Sequence, residues 1–395
     1  MSGVSSAIQS QTMASFLPIV VDEKQYNIGW FVYEKSATDK ELLTFTEKVL
    51  DCFWKIEKKV KTNSSLTLHP DFGQQQLVEL AKWGRLAYQR FFQDEKARQL
   101  LQSRFQGMSN EIPAPTFISK QVPFPWEVLY QGSNYHDATL EDFWGLRYTP
   151  ARILTPERDI SQHVMQQALP SDMLFCLHHK LRQAHQQEWP EIRKLILLNN
   201  NDRCSLLSPN GKLTTVETGE SLLSYLDQST HNMLHFACHC QPGDAKIDTL
   251  LISSLQEDLN EEITGDTRVI GLGALTFDLI DGKFQRRPLV FLNACQSAGG
   301  ADELRKTLNL PQMFVRQGAG AVIATACPVP DLFAAAFAKH FYTFFLSGQM
   351  TIGQALRETR WHFLTKHNNP LGLAYGLYTP ANYRLAQSPM MESAA

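Results

Sequence analysis

Apolar and polar positions along this chain change rhythm once, near residue 110. Before it, apolar residues recur every three to four positions over long stretches; after it, short apolar runs alternate with helical patterns. Residues 1–15 are small and polar and read as a flexible tail. FLPIVV (16–21) and YNIGWFVYE (26–34) follow as two strands of a hairpin. Thr38 and Glu41 make a capping box, after which Leu42, Phe45, Val49, Leu50, Phe53 and Ile56 keep helical spacing. A second long helix is predicted over 73–106, with Leu77, Leu80, Trp83, Ala87 and Phe91 on one side. The segment SNEIPAPTF (109–117) carries two prolines, which forbid helix continuation and bias their neighbours to extended backbone. It is the expected boundary between a hairpin-plus-helices lobe, 16–110, and a larger domain, 111–395.

In the larger domain the strand-like runs are ARIL (151–154), MLFCLHH (173–179), KLILL (194–198), HNMLHFAC (231–238), TLLISS (249–254), PLVFLNAC (288–295) and AVIATAC (321–327). Helical patterns fill most of the gaps: one at 216–227, one near 304–317 stopped by Gly318, one from Asp331, and one from the Thr351/Gln354 capping box. Strand alternating with helix implies parallel strands joined by right-handed crossovers, so the fold class is α/β with a mainly parallel central sheet.

Composition narrows the function classes. Apolar residues are 43% and charged residues 19%, below the usual quarter or so, as suits a folded body with much buried surface. Thirty-seven basic against 40 acidic residues give a net charge of −3, and no dense Lys/Arg stripe supplies a local grip on phosphates; nucleic acid is not expected as a direct ligand. No run reaches the roughly 18 apolar residues of a membrane span, and the start of the chain lacks the regions of a signal peptide. Seven cysteines, odd in number and widely spread, point to a reducing cytoplasm.

In an open parallel sheet, sites form outside the carboxyl ends of the strands. Two ends carry chemistry: HNMLHFAC runs into His239, and PLVFLNA runs into Cys295 and the loop Gln296–Gly300. If the two strands are neighbours, an imidazole can take the proton of a thiol whose free pKa of about 8.5 keeps it mostly protonated, and return it to a leaving amine. The amides of Cys295 and Cys240 are candidates for holding the developing oxyanion. His235, inside the apolar run, reads as a hydrogen-bonded core residue, and strand alternation sends Cys238 and Cys240 to the face opposite His239. The same alternation opposes zinc at His235, Cys238, His239 and Cys240, so no metal is expected. The GLG at 271–273 lacks the third glycine of a dinucleotide fingerprint and is read as a helix entry. Trp126 and Glu127 read as a buried junction in which Glu127 orients backbone donors. Asp331, after Pro330, reads first as a helix N-cap.

The strings LHFACHC (234–240), VFLNACQSAGG (290–300), PFPWEVLY (123–130) and AVIATACPVPD (321–331) resemble, in order, those of the CHAT domain, a caspase-like peptidase of the group containing caspases and separases. RETRWHF (357–363) and GLAYGLYTP (372–380) extend the resemblance over roughly 110–395. It implies a layered α-β-α fold, with Cys295 matching the family's nucleophile and His239 its catalytic histidine. His239 stands 56 residues before Cys295, near the roughly 50 of caspase-type signatures. Cys240 stands where the family usually has glycine, and Cys327 where it usually has a bulky aromatic. The resemblance also makes Asp331, Asp302 and Ser297 candidates for the substrate pocket, the acidic pair favouring a basic side chain. The implied function is a cofactor-free cysteine endopeptidase that cleaves specific protein partners, waits on an activating protein or ligand, and serves bacterial defence or cell death, for instance by cutting a gasdermin-like pore former. The alternative is a weak or inactive adaptor that binds peptide in the same groove.

Overall fold

The protein is described here by a computed structural model, which covers residues 16–22, 24–35, 37–108, 111–119, 124–153, 172–178, 181–197, 203–207, 219–242, 248–253, 270–273, 284, 286–296 and 309–385. Its first sheet begins with β1 (Phe16–Val21), β2 (Gln25–Ile28) and β3 (Phe31–Glu34). YNIGWFVYE is thus two strands rather than one: Gly29, at φ +60°, turns the chain where only glycine is free of strain, and β2 and β3 pair across the turn. The capping box forms as expected. Thr38 accepts from the Glu41 amide, the Glu41 side chain accepts from the Thr38 amide, and α1 (Asp39–Asn63) ends in a left-handed Ser64.

The helix predicted over 73–106 is two helices, α2 (Pro70–Phe91) and α3 (Glu95–Gly107). The break comes from Asp94, whose carboxylate accepts from Lys96 N at 2.7 Å and Ala97 N at 3.3 Å, so a second N-terminus starts there. Past the expected boundary, β4 (Ala114–Ile118) pairs parallel with β1, and β5 (Ala151–Ile153) with β4, giving the order β3-β2-β1-β4-β5. The first sheet therefore draws strands from both sides of residue 110. A single turn, α4 (Trp144–Arg147), leads into β5.

The second sheet holds β6 (Asp172–Leu177), β7 (Arg203–Leu207), β8 (Met233–Pro242), β9 (Asp248–Ser253), β10 (Ile270–Gly273), β11 (Leu289–Gln296), β12 (Ala321–Thr325) and β13 (Tyr375–Leu377). Strands β7, β6, β8, β11 and β12 run parallel side by side; β13, β9 and β10 add antiparallel pairs. Two sequence expectations change here. IGLG is a strand against β9, not a helix entry. KLILL is not a strand: Ile192 and Ile196, buried four residues apart, lie on helix α5 (Trp189–Ile196), which a π-turn (Ala184–Glu188) precedes. The strand of this region is RCSLL, β7.

Alternation divides the parallel strands between two cores. Met233, Phe291 and Ile323 join the larger core with α8 (Asp331–Phe345) and α9 (Ile352–His367), which also reaches Phe53 and Phe91 beneath the first sheet. Leu234, Phe236, Cys238 and Val290 face a second core with α6 (Gly219–Asp227) and α7 (Asn309–Arg316). The layering is α-β-α, as expected.

Candidate active site

Strands β8 and β11 are adjacent and parallel, and their register runs from Leu289↔Met233 through Cys295↔His239 to Gln296↔Cys240. Neighbouring strands lie roughly 4.8 Å apart, so the register alone brings the backbones of Cys295 and His239 side by side. Both strands outrun their neighbours. β6 pairs with β8 only as far as Leu177↔Ala237, and β12 with β11 only as far as Leu292↔Ala324. Cys295 and His239 therefore stand beyond the carboxyl ends of the flanking strands, although their own strands continue past the points where the apolar runs stop. On the side vacated by β6, β9 takes over, pairing from His239↔Leu251 to Pro242↔Asp248. Cys240 sits inside this ladder, opposite Gln296 and Leu250, a strand setting that accepts a side chain without left-handed backbone.

Beneath the pair lies a buried polar network that the sequence pattern does not announce. Glu188, 1% exposed, accepts through Oε1 from Asn293 Nδ2 at 2.7 Å and meets His235 Nε2 at 2.8 Å. His235 Nδ1 is 3.2 Å from the Tyr342 hydroxyl, and the Tyr375 hydroxyl donates to Asn293 Oδ1 at 2.7 Å. His235 is thus the hydrogen-bonded core residue expected of it. Asn293 carried a signal, two residues before Cys295; Glu188, in AHQQEW, carried none, because its partners are 47 and 105 residues away.

Asp331 differs from its reading as a cap of its own helix. Pro330 is the cap residue, and the Asp331 carboxylate accepts instead from the amide of Gln183 at 2.7 Å, at the start of the helical segment that carries Glu188. Burial, opposed by that amide, pushes its pKa up to about 6. Glu127 likewise does not serve backbone donors: it forms a buried ion pair with Arg152 and lies 3.8 Å from Arg360. Cys327 is 2% exposed. Burial also pushes the thiols of Cys52 and Cys204 up, to about 11 and about 12, and that of Cys176 higher still, as for packing thiols rather than nucleophiles. Ser297 and Asp302, and the side chains of His239, Cys240 and Cys295, lie outside the described residues. Among the described residues no three His, Cys, Asp or Glu side chains gather as a metal would require, and no helix is long and apolar enough to cross a membrane.

Residues 121–387 match the CHAT domain family. A probable protease of Vitiosangium sp. (strain GDMCC 1.1324) is 27% identical over 190 residues, a stretch covering 48% of this chain and 23% of that protein. Among solved structures, the Arg specific cysteine proteinase gingipain R aligns with 74% of this chain and 68% of its own at 10% identity and a TM-score of 0.43. The Saccharomyces cerevisiae separase–securin complex aligns with 87% of this chain and 23% of its own at 14% identity and a TM-score of 0.44.

Proposed function

This chain belongs to the CHAT-domain family, and from that premise we propose that it is a cysteine peptidase with Cys295 as nucleophile and His239 as general base and acid. The observation that carries the reading is the register pairing of Cys295 with His239 beyond the ends of β6 and β12. The His239 imidazole takes the thiol proton, and the thiolate attacks the carbonyl carbon of a peptide bond. The tetrahedral oxyanion rests on the amides of Cys295 and Cys240. As the C–N bond breaks, the imidazolium gives its proton to the leaving amine; water, deprotonated by the same imidazole, then hydrolyses the thioester and restores the thiol. No cofactor enters these steps. The substrate class is a protein partner, and by analogy with bacterial defence and cell-death systems the reading extends to a gasdermin-like pore former, cleaved in the cytoplasm once an activating protein or ligand is present. Asp331, Asp302 and Ser297 are the candidates for the pocket that receives the residue before the cut.

The test is co-expression of the chain with the proteins encoded beside it, wild type against Cys295→Ala. A cleavage product seen with wild type and absent with the variant supports the reading. In parallel, a peptidyl chloromethyl ketone should modify Cys295 ahead of the other six thiols and His239→Ala should slow it; equal modification of all accessible thiols would instead favour a peptide-binding adaptor.

A further inference from the structure

We propose that Glu188 is a positioning residue for Cys295 and His239: one carboxylate oxygen ties β11 to β8 directly beneath that pair and so fixes how the two strands present their last paired residues. The proposal rests on the peptidase reading above. Its geometry is a bridge. Oε1 of Glu188 receives the Asn293 amide of β11 at 2.7 Å and meets Nε2 of His235 of β8 at 2.8 Å. Asn293 precedes Cys295 by one two-residue strand repeat, and His235 precedes His239 by two. Asn293 is the first residue of β11 past its last pairing with β12, Leu292↔Ala324, while His235 is still paired with Phe175 of β6, so the bridge anchors the unsupported end of β11 to a supported part of β8.

The outer members orient the inner ones. The Tyr375 hydroxyl, donating to Asn293 Oδ1, fixes which end of that amide faces Glu188. Tyr342, beside His235 Nδ1, leaves Nε2 to donate to the carboxylate. All five residues are at most 3% exposed, and Glu188 Oε2 has no hydrogen-bond partner among the described residues. A carboxylate so placed is costly to desolvate, and an apolar side chain would fill the space more cheaply; what the carboxylate adds is a defined geometry between two strands. The element that delivers it is itself pinned. Glu188 closes the π-turn Ala184–Glu188, whose leading Gln183 amide is held by Asp331 at 2.7 Å, and π-turns concentrate at functional sites.

The experiment measures carbamidomethylation of Cys295 by iodoacetamide against pH in the full chain, with glutathione in the same reaction as the reference thiol, at a temperature where each variant is folded by circular dichroism. Wild type should show a Cys295 midpoint below that of a free thiol. Tyr375→Phe, which removes one hydroxyl, and Glu188→Ala should both move that midpoint toward the free-thiol range. The rate at pH 7 should fall about 3-fold for Tyr375→Phe and about 10-fold or more for Glu188→Ala, with the glutathione rate unchanged. The double variant should lose no more than Glu188→Ala alone, since both act through Asn293. Folded Tyr375→Phe and Glu188→Ala proteins with the wild-type pH profile at Cys295 would overturn the proposal while leaving the peptidase reading intact. A wild-type Cys295 that reacts like an ordinary thiol, together with no Cys295-dependent product on co-expression, would overturn both.

Discussion

Glu127 sits between two arginines with almost no water around any of them: Glu127 and Arg360 are 1% exposed and Arg152 5%. Burial draws the Arg360 pKa down to about 10, and the carboxylate of Glu127 is what opposes that loss of charge. Two buried cations share one anion, with the Arg152 guanidinium 5.0 Å from the Tyr378 ring and Arg360 donating to the carbonyls of Gly145 and Tyr375. Removing the anion strands both cations, so Glu127→Ala should destabilise the protein by about 3–5 kcal/mol in urea unfolding. A substitution of Gly376 should be comparably harmful, because a methyl there runs into Arg152. Asp331 makes a pH prediction. Its folded pKa of about 6 lies above the ordinary carboxyl value of 3.8, so the folded state holds the proton more tightly, and stability falls as pH rises from about 4 to about 6. Asp331→Asn keeps an oxygen for the Gln183 amide and removes the charge. It should flatten that slope and, after discounting for partial exposure, gain about 1–2 kcal/mol at pH 7 in thermal or urea unfolding. PFPWEVLY announced a buried Glu127, but its partners come from β5 and α9, so their identity was not legible locally.

The two capping boxes opened helices where the sequence placed them, whereas the Asp94 cap that splits 73–106 went unread. The Thr351/Gln354 box opens α9, and Thr38/Glu41 opens α1. Where an apolar run was short, length and period could not separate strand from helix, and KLILL went to a helix because Ile192 and Ile196 bury together on one side. The packing of α8 on α9 adds an acid-sensitive contact. His340 stacks on His362 with ring centroids 3.8 Å apart, and His367 stands 5.6 Å from His362. Burial, then the neighbouring His362, lowers the His340 pKa to about 4. The unfolded chain therefore binds the proton first. Stability contributed here is full above about pH 6.5 and is lost as pH falls toward 4, the opposite sign from Asp331. His340→Gln should reduce the acid-induced fall in melting temperature, by about 1–2 kcal/mol of stability at pH 4.5 once its partial exposure is discounted.

At the scale of the molecule, the first sheet ties the two sides of residue 110 together. β4 lies between β1 and β5, and Trp126 stacks on Phe117 with ring centroids 3.7 Å apart while Phe91 of α2 meets its edge at 5.2 Å. The carbonyl of Val128 lies so close to Gly84 of α2 that any side chain there would collide with it. A chain starting at residue 111 would leave β4 without β1 and Trp126 without its edge contact to Phe91 of α2. It is expected to be insoluble or to unfold without a cooperative transition, as calorimetry or urea titration would show. Trp126→Ala in the full chain should cost about 3–5 kcal/mol.

The sequence by itself determined most of the alternating strand-and-helix order, the two capping boxes, and the two positions, His239 and Cys295, at which apolar runs meet an imidazole and a thiol. Those are local properties, set by period, by turn chemistry and by the residue types at the end of a strand. Which strands became neighbours was decided only by tertiary structure, because strand pairing and buried hydrogen bonds join residues far apart in the chain. The register of β8 on β11, the union of β1 with β4, and the convergence of Glu188, His235, Asn293 and Tyr375 all belong to that second kind.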